Sequence, residues 1–108
     1  MTSRRIDFAT LEWQSPLLGA RFKRFEQDGR VVRLVEFTDQ LVEPDWCRKG
    51  HVGYVVEGRV TIDFSGTPVT YQAGDALYIR ADETDKHMAS VAKGEKVVLF
   101  MVEDAADD

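Results

Sequence analysis

An all-β sandwich or barrel of about eight short strands is the fold this sequence predicts. Almost every segment is short and rich in Val, Ile, Phe and Tyr, the residues that suit a pleated, half-buried surface. The segments end at Gly, Asp or Pro, which punctuate tight turns. Helix signals are nearly absent.

Taken in order, residues 21–25 and 31–37 flank Asp28-Gly29, the pair that most readily adopts the positive φ angles of a two-residue hairpin turn. Val60, Ile62 and Phe64 alternate with Thr61, Asp63 and Ser65, after which Gly66-Thr67-Pro68 turns the chain into Val69-Thr70-Tyr71. Glu57-Gly58 and Gly74-Asp75 read as further turns, the second leading into Ala76-Leu77-Tyr78-Ile79. Lys93-Gly94-Glu95 separates a strand over 88–91 from a long apolar one over 97–102. Residues 103–108, five of them Ala or Asp, read as a frayed, solvated tail. One domain over 1–108 is expected, with a barrel core over about 20–102 and the acidic tail beyond it.

Bulk composition narrows the partners. In the 108 residues, 14 Lys and Arg are scattered among 19 acids for a net charge of −5, so no basic stripe exists to track phosphates and nucleic acid is not an expected partner. No apolar stretch approaches the length of about 18 residues that a membrane helix needs. A single cysteine allows no internal disulfide, and MTSRRIDFATLEW lacks the apolar run of a secretory signal, which together predict a cytoplasmic location.

The stretch Asp45-Trp46-Cys47-Arg48-Lys49-Gly50-His51 spends the only cysteine and one of two histidines within five residues. Side chains at even spacing share one face of a strand, so Asp45, Cys47 and His51 would look into the same space if this segment is extended. Thiolate, imidazole and carboxylate together suit zinc, iron or nickel better than magnesium or calcium. A closed site needs a ligand from elsewhere, and His87 is the candidate. Each residue also has a plainer role: a lone Cys is a small buried hydrophobe, a lone His a hydrogen-bonded core residue, Trp46 a packing aromatic and Asp45 a turn former after Pro44.

The run His51-Val52-Gly53-Tyr54-Val55-Val56-Glu57-Gly58, followed by Gly74-Asp75 and then by His87, resembles the two signature motifs of the cupin superfamily. That resemblance implies a double-stranded β-helix, a small jelly-roll-like β-barrel. With Gly58 on the last glycine of the first motif, His51 stands where the family has its metal-binding glutamate, Cys47 at the second histidine and Asp45 at the first, while His87 matches the histidine of the second motif. The loop over 80–85 lacks the family's proline and glycine and is longer by two residues. The stretch from Asp45 also resembles a group of small cupins named for Asp, His, Cys and Trp.

The resemblance implies a divalent metal held by Cys47, His51 and His87, with Asp45 as a fourth ligand or as an acceptor orienting a histidine. Zinc is the first expectation from this donor set, iron or nickel the next. The ion would face a cavity that takes a small-molecule ligand, and the protein would act on or sense a small metabolite. Homodimers of the kind small cupins form would use an exposed edge within 21–37. The competing expectation is a non-catalytic ligand-binding or structural module without a catalytic metal, since Glu57 and Asp75 sit at turns and Glu36 on a strand of unassigned facing. A cysteine nucleophile at Cys47 ranks below both, because no glycine-rich elbow surrounds it.

Overall fold

The computed structural model describes residues 3–105. A 3-10 turn, Phe8–Thr10, is capped by the Asp7 carboxylate, which accepts from the Ala9 N–H at 3.1 Å. Eight strands follow: β1 (Gln14–Leu17), β2 (Ala20–Gln27), β3 (Arg30–Thr38), β4 (His51–Phe64), β5 (Thr67–Gln72), β6 (Ala76–Ile79), β7 (Met88–Ser90) and β8 (Lys96–Asp104).

All pairings are antiparallel. The larger sheet runs β1-β2-β3-β8-β4-β6, and the second half of β4 continues into a smaller sheet between β5 and β7. The 14-residue β4 is therefore shared by both sheets. It changes sheets at a bulge, where its register against β8 slips between Val55 and Glu57. Burial records the slip: His51, Gly53 and Val55 face inward before it, Val60 and Ile62 after it, so the inward parity switches from odd to even. Gly58 follows the slip at φ +78°, and a Cβ placed there would meet the Lys96 carbonyl oxygen at 2.0 Å. Glu57-Gly58 is thus a bulge inside a strand rather than a turn between two.

The first hairpin forms as its turn residues predict, with Asp28 and Gly29 at φ 55° and 75° linking paired Gln27 and Arg30. The second turns one position earlier than its Gly-Thr-Pro run suggests. Ser65 and Gly66 take the positive φ angles, Phe64 pairs with Thr67, and Pro68 lies within β5. Proline is tolerated there because β5 is an edge strand. Of residues 21–37, expected to offer an exposed edge, β3 is paired with β8 along its whole length, while β1 covers only the start of β2 and, among the described residues, leaves 23–27 without a strand on their outer side.

The core fills the space between the sheets. Val35, Val55, Leu77, Ile79, Val97, Leu99 and Met101 come from the larger one, Val60, Ile62 and Ala89 from the smaller. The period-two burial of β8 does not stop at the apolar run: Glu103 is as buried as the residues before it. The expected solvated tail therefore does not begin at 103. Residues 106–108 lie outside the described region.

Candidate metal centre

Cys47 and His87 are fixed to one another by the backbone. Each donates its N–H to the other's carbonyl, at 2.8 Å and 2.9 Å, in an isolated antiparallel bridge. Residues directly opposed in this way project to the same side. Two surface contacts tie down the same segments: Arg48 donates to Glu83 at 2.7 Å, and the Lys86 ammonium lies 5.8 Å from the Trp46 ring centre. The loop before His87 lacks proline and glycine and is shaped by carboxylates instead. Asp82 accepts from the Asp85 N–H and Asp85 from the Arg80 N–H.

His51 opens β4 on its inward face, beside Ile79 of β6. Its ring lies 5.2 Å from that of His87, nearly perpendicular to it. Both imidazoles are anchored through Nδ1. His87 Nδ1 is 2.9 Å from the Asp85 carbonyl, which makes it a donor, and His51 Nδ1 meets the buried Glu103 carboxylate. Nε2 is left as the free lone pair of each ring. His51 Nε2 lies 3.8 Å from Cys47 Sγ, and donor atoms of Cys47, His51 and His87 all fall within 4.8 Å of one another.

The charges around this point are strongly coupled. Burial pushes the Cys47 thiol up, but the two histidines and the Lys49 N–H outweigh it and bring the thiol down to about 5. Burial likewise opposes ionisation of Glu103, and hydrogen bonds from His51 and Arg33 overcome it, lowering the carboxyl to about 2. His51 is raised: burial disfavours its cationic form, while Cys47 and Glu103 more than compensate. Behind Glu103, Arg33 closes the chain with a two-bond fork, Nε to Oε1 at 2.6 Å and Nη2 to Oε2 at 2.7 Å.

Asp45 does not join this cluster. A bend at Pro44-Asp45 breaks the extended run, so parity cannot be counted back through it. Asp45 is exposed, and its Oδ1 accepts from the Trp46 N–H at 2.7 Å. The carboxyl that reaches the interior is Glu43, whose Oε2 accepts from the Ala89 N–H at 3.1 Å and whose acidity is weakened, chiefly by burial. Three residues of this interior escape the motif reading: Glu43, Arg33 and Glu103. The last had a visible signal, since Val97, Leu99, Met101 and Glu103 continue one period-two row.

Cys47, His51, His87 and Glu43 open on a cavity of about 240 Å³ whose remaining wall is mainly apolar, including Phe22, Phe37 and Leu99. One thiolate and two Nδ1-anchored imidazoles, one of them backed by a buried carboxylate, form a donor set that fits a borderline-soft divalent ion.

With two sheets sharing β4 around this interior, comparison with known proteins places the chain. Residues 36–99 match the family described as the EutQ-like cupin domain. The chain is a EutQ-like cupin. The match carries no placement within the Asp-His-Cys-Trp group. No curated protein sequence matches this cupin. Among solved structures it is similar to the polyketide cyclase RemF from Streptomyces resistomycificus, at 15% identity and TM-score 0.78 over 96% of this chain and 80% of that one. It is also similar to KdgF from Halomonas sp., at 20% identity and TM-score 0.74 over 95% and 94% of the two chains. The Clostridium difficile EutQ protein aligns at 16% identity and TM-score 0.64, over 80% of this cupin and 62% of that chain. At these identities the likeness establishes the cupin fold.

Proposed function

We propose that this cupin holds a divalent metal through Cys47, His51 and His87 at the wall of its barrel, and that it acts on or senses a small metabolite entering the cavity. The observation that carries the reading is the convergence of three soft or borderline donor atoms within 4.8 Å, drawn from two segments distant in sequence. A pair of buried histidines needed only for packing has no reason to bring a ring nitrogen of each to one cysteine. Zinc suits the set best, with iron or nickel next. Asp45 belongs to the surface turn in this reading rather than to the ligand sphere.

When bound, the ion supplies Lewis acidity at the cavity wall. The protein's own groups do the rest. Glu103 and the Asp85 carbonyl hold the imidazoles in the tautomer that presents Nε2, the apolar wall limits water, and Glu43 is the carboxyl side chain that lines the ligand's cavity. The cavity, below the usual range of about 300–1,000 Å³ for drug-sized ligands, fits a small metabolite. A homodimer is part of the proposal, through the outward row of β4, where Val52, Tyr54 and Val56 are exposed beside Tyr78 of β6.

Elemental analysis of protein purified without chelator or nickel resin tests the reading. Near-stoichiometric metal is expected in the parent and in Asp45→Ala, with a sharp loss in Cys47→Ala and His87→Ala. Full occupancy in both of the latter variants would remove the site. Turnover abolished by chelator and restored by one ion would assign catalysis, and ligand binding without turnover a sensing role.

A further inference from the structure

We infer that Arg33 is the recognition group for a carboxylate on the ligand, so that the small metabolite is a short monocarboxylic acid with an apolar body. The inference rests on the cavity being the ligand site.

Arg33 stands where alternation calls for an apolar side chain, between Val31 and Val35, both fully buried, on the inward face of β3. An arginine in such a row carries a cost that one ion pair explains only in part. Its fork to Glu103 uses Nε and one N–H of Nη2, which is one edge of the guanidinium. The other edge, formed by Nη1 and the second N–H of Nη2, makes no protein hydrogen bond among the described residues. Arg33 lines the cavity and Glu103 does not. The guanidinium carbon lies over the ring of Phe22, also in the wall, 5.0 Å from its centre. Two sides of the plane are thus held before a ligand arrives, which lowers the ordering cost of binding.

Arg21, Arg33 and Lys49 line the cavity together with Glu43 and the Cys47 thiol, so a carboxylate finds its cation locally, at Arg33, and not in the net charge of the wall. Arg21 is occupied by a fork to Glu36 at 2.9 Å and 3.3 Å, facing away from this role. Burial pushes Glu43 toward its neutral form, which reduces its repulsion of an incoming carboxylate. A planar fork of N–H donors on a residue in the wall of a mostly apolar chamber matches a carboxylate head joined to a short hydrocarbon body.

Ligand-observed NMR titration with butanoate and its uncharged analogue butanamide tests this, with the metal-saturated protein and again after chelation. The parent is expected to bind butanoate about tenfold or more tightly than butanamide in both forms. Arg33→Gln should remove the preference and Arg33→Lys retain part of it. Because Arg33→Gln leaves Glu103 with one partner fewer, Arg33→Gln/Glu103→Gln is measured beside it and must also lack the preference. Equal affinity for the two probes, binding of neither, or a preference that survives in the double variant would overturn the inference. Metal content measured on the same samples separates this outcome from failure of the metal reading: a metal-free protein that still selects butanoate through Arg33 sinks only the latter.

Discussion

At the scale of single residues, the interior is organised by what lies behind His51. An imidazole beside a thiol can point either nitrogen at it, and Glu103 decides by taking Nδ1. Glu103 in turn is held by Arg33, so a charged chain runs from β3 through β8 to the start of β4. Removing its central carboxylate leaves a buried guanidinium without its counter-charge, and Glu103→Gln should cost about 3 kcal/mol at pH 7 in urea unfolding of the metal-free protein. The sign of the pH dependence follows from the direction of the shift. Glu103 is lowered from 4.5 to about 2, so its contribution is fully present above pH 4.5 and fades as pH falls toward about 2. The stability gap between the parent and Glu103→Gln should therefore narrow over that window, and a gap of constant size would show that the carboxylate is not held by these partners. Cys47 and His51 were legible in the sequence because their spacing from Gly58 resembles the first cupin motif, and His87 because it resembles the histidine of the second. Asp45 lies apart from them because the bend at Pro44-Asp45 breaks the extended run that shared facing requires. Arg33 reads as an ordinary charged residue until the facing of β3 is known, Glu43 lies on a segment between β3 and β4 with no period to follow, and Glu103 is signalled only by the period-two row of β8.

Among the elements, β4 sets the geometry of the barrel. It begins in the larger sheet with His51 facing the interior and ends in the smaller one with Ile62 facing the same interior. Without an inserted residue the strand could not present both, because odd and even positions face opposite sides. The two inward rows, 51-53-55 and 60-62, have opposite parity in the sequence. Glycine between them reads equally as a turn, and the choice is made by β8, which pairs across the slip. Gly58→Ala should therefore be severe. Its φ of +78° and the Lys96 oxygen at 2.0 Å from a new Cβ predict a loss of at least about 2 kcal/mol. Gly29→Ala, at a similar φ but with no atom within 4 Å, should cost less. Comparable losses for the two in chemical denaturation would contradict the account of the bulge. The hairpins themselves were readable, since Asp28-Gly29 has few alternatives. The second turn was displaced by one residue because Pro68 signals a break in isolation but is admitted on an edge strand.

For the whole molecule, the fold class was legible from short β-rich segments and turn residues, and the cupin architecture from motif spacing. The interior charges were not, because they depend on how strands distant in sequence meet. The outer surface makes a further prediction. Val52 is 51% exposed and Tyr78, its partner in register, 77% exposed, an apolar row that water covers poorly. If a second copy covers this face, sedimentation should give a dimer for the parent and a monomer for Val52→Glu/Tyr78→Glu, with the circular dichroism of the two alike. A double variant that remains dimeric would move the interface elsewhere.

The central claim is that one sulfur and two imidazole nitrogens share an ion. X-ray absorption of the metal-loaded protein reads this directly. For zinc the account predicts one sulfur at about 2.3 Å and two imidazole nitrogens at about 2.0–2.1 Å, with the sulfur shell missing from Cys47→Ser. A bound ion surrounded only by oxygen and nitrogen in the parent would contradict it.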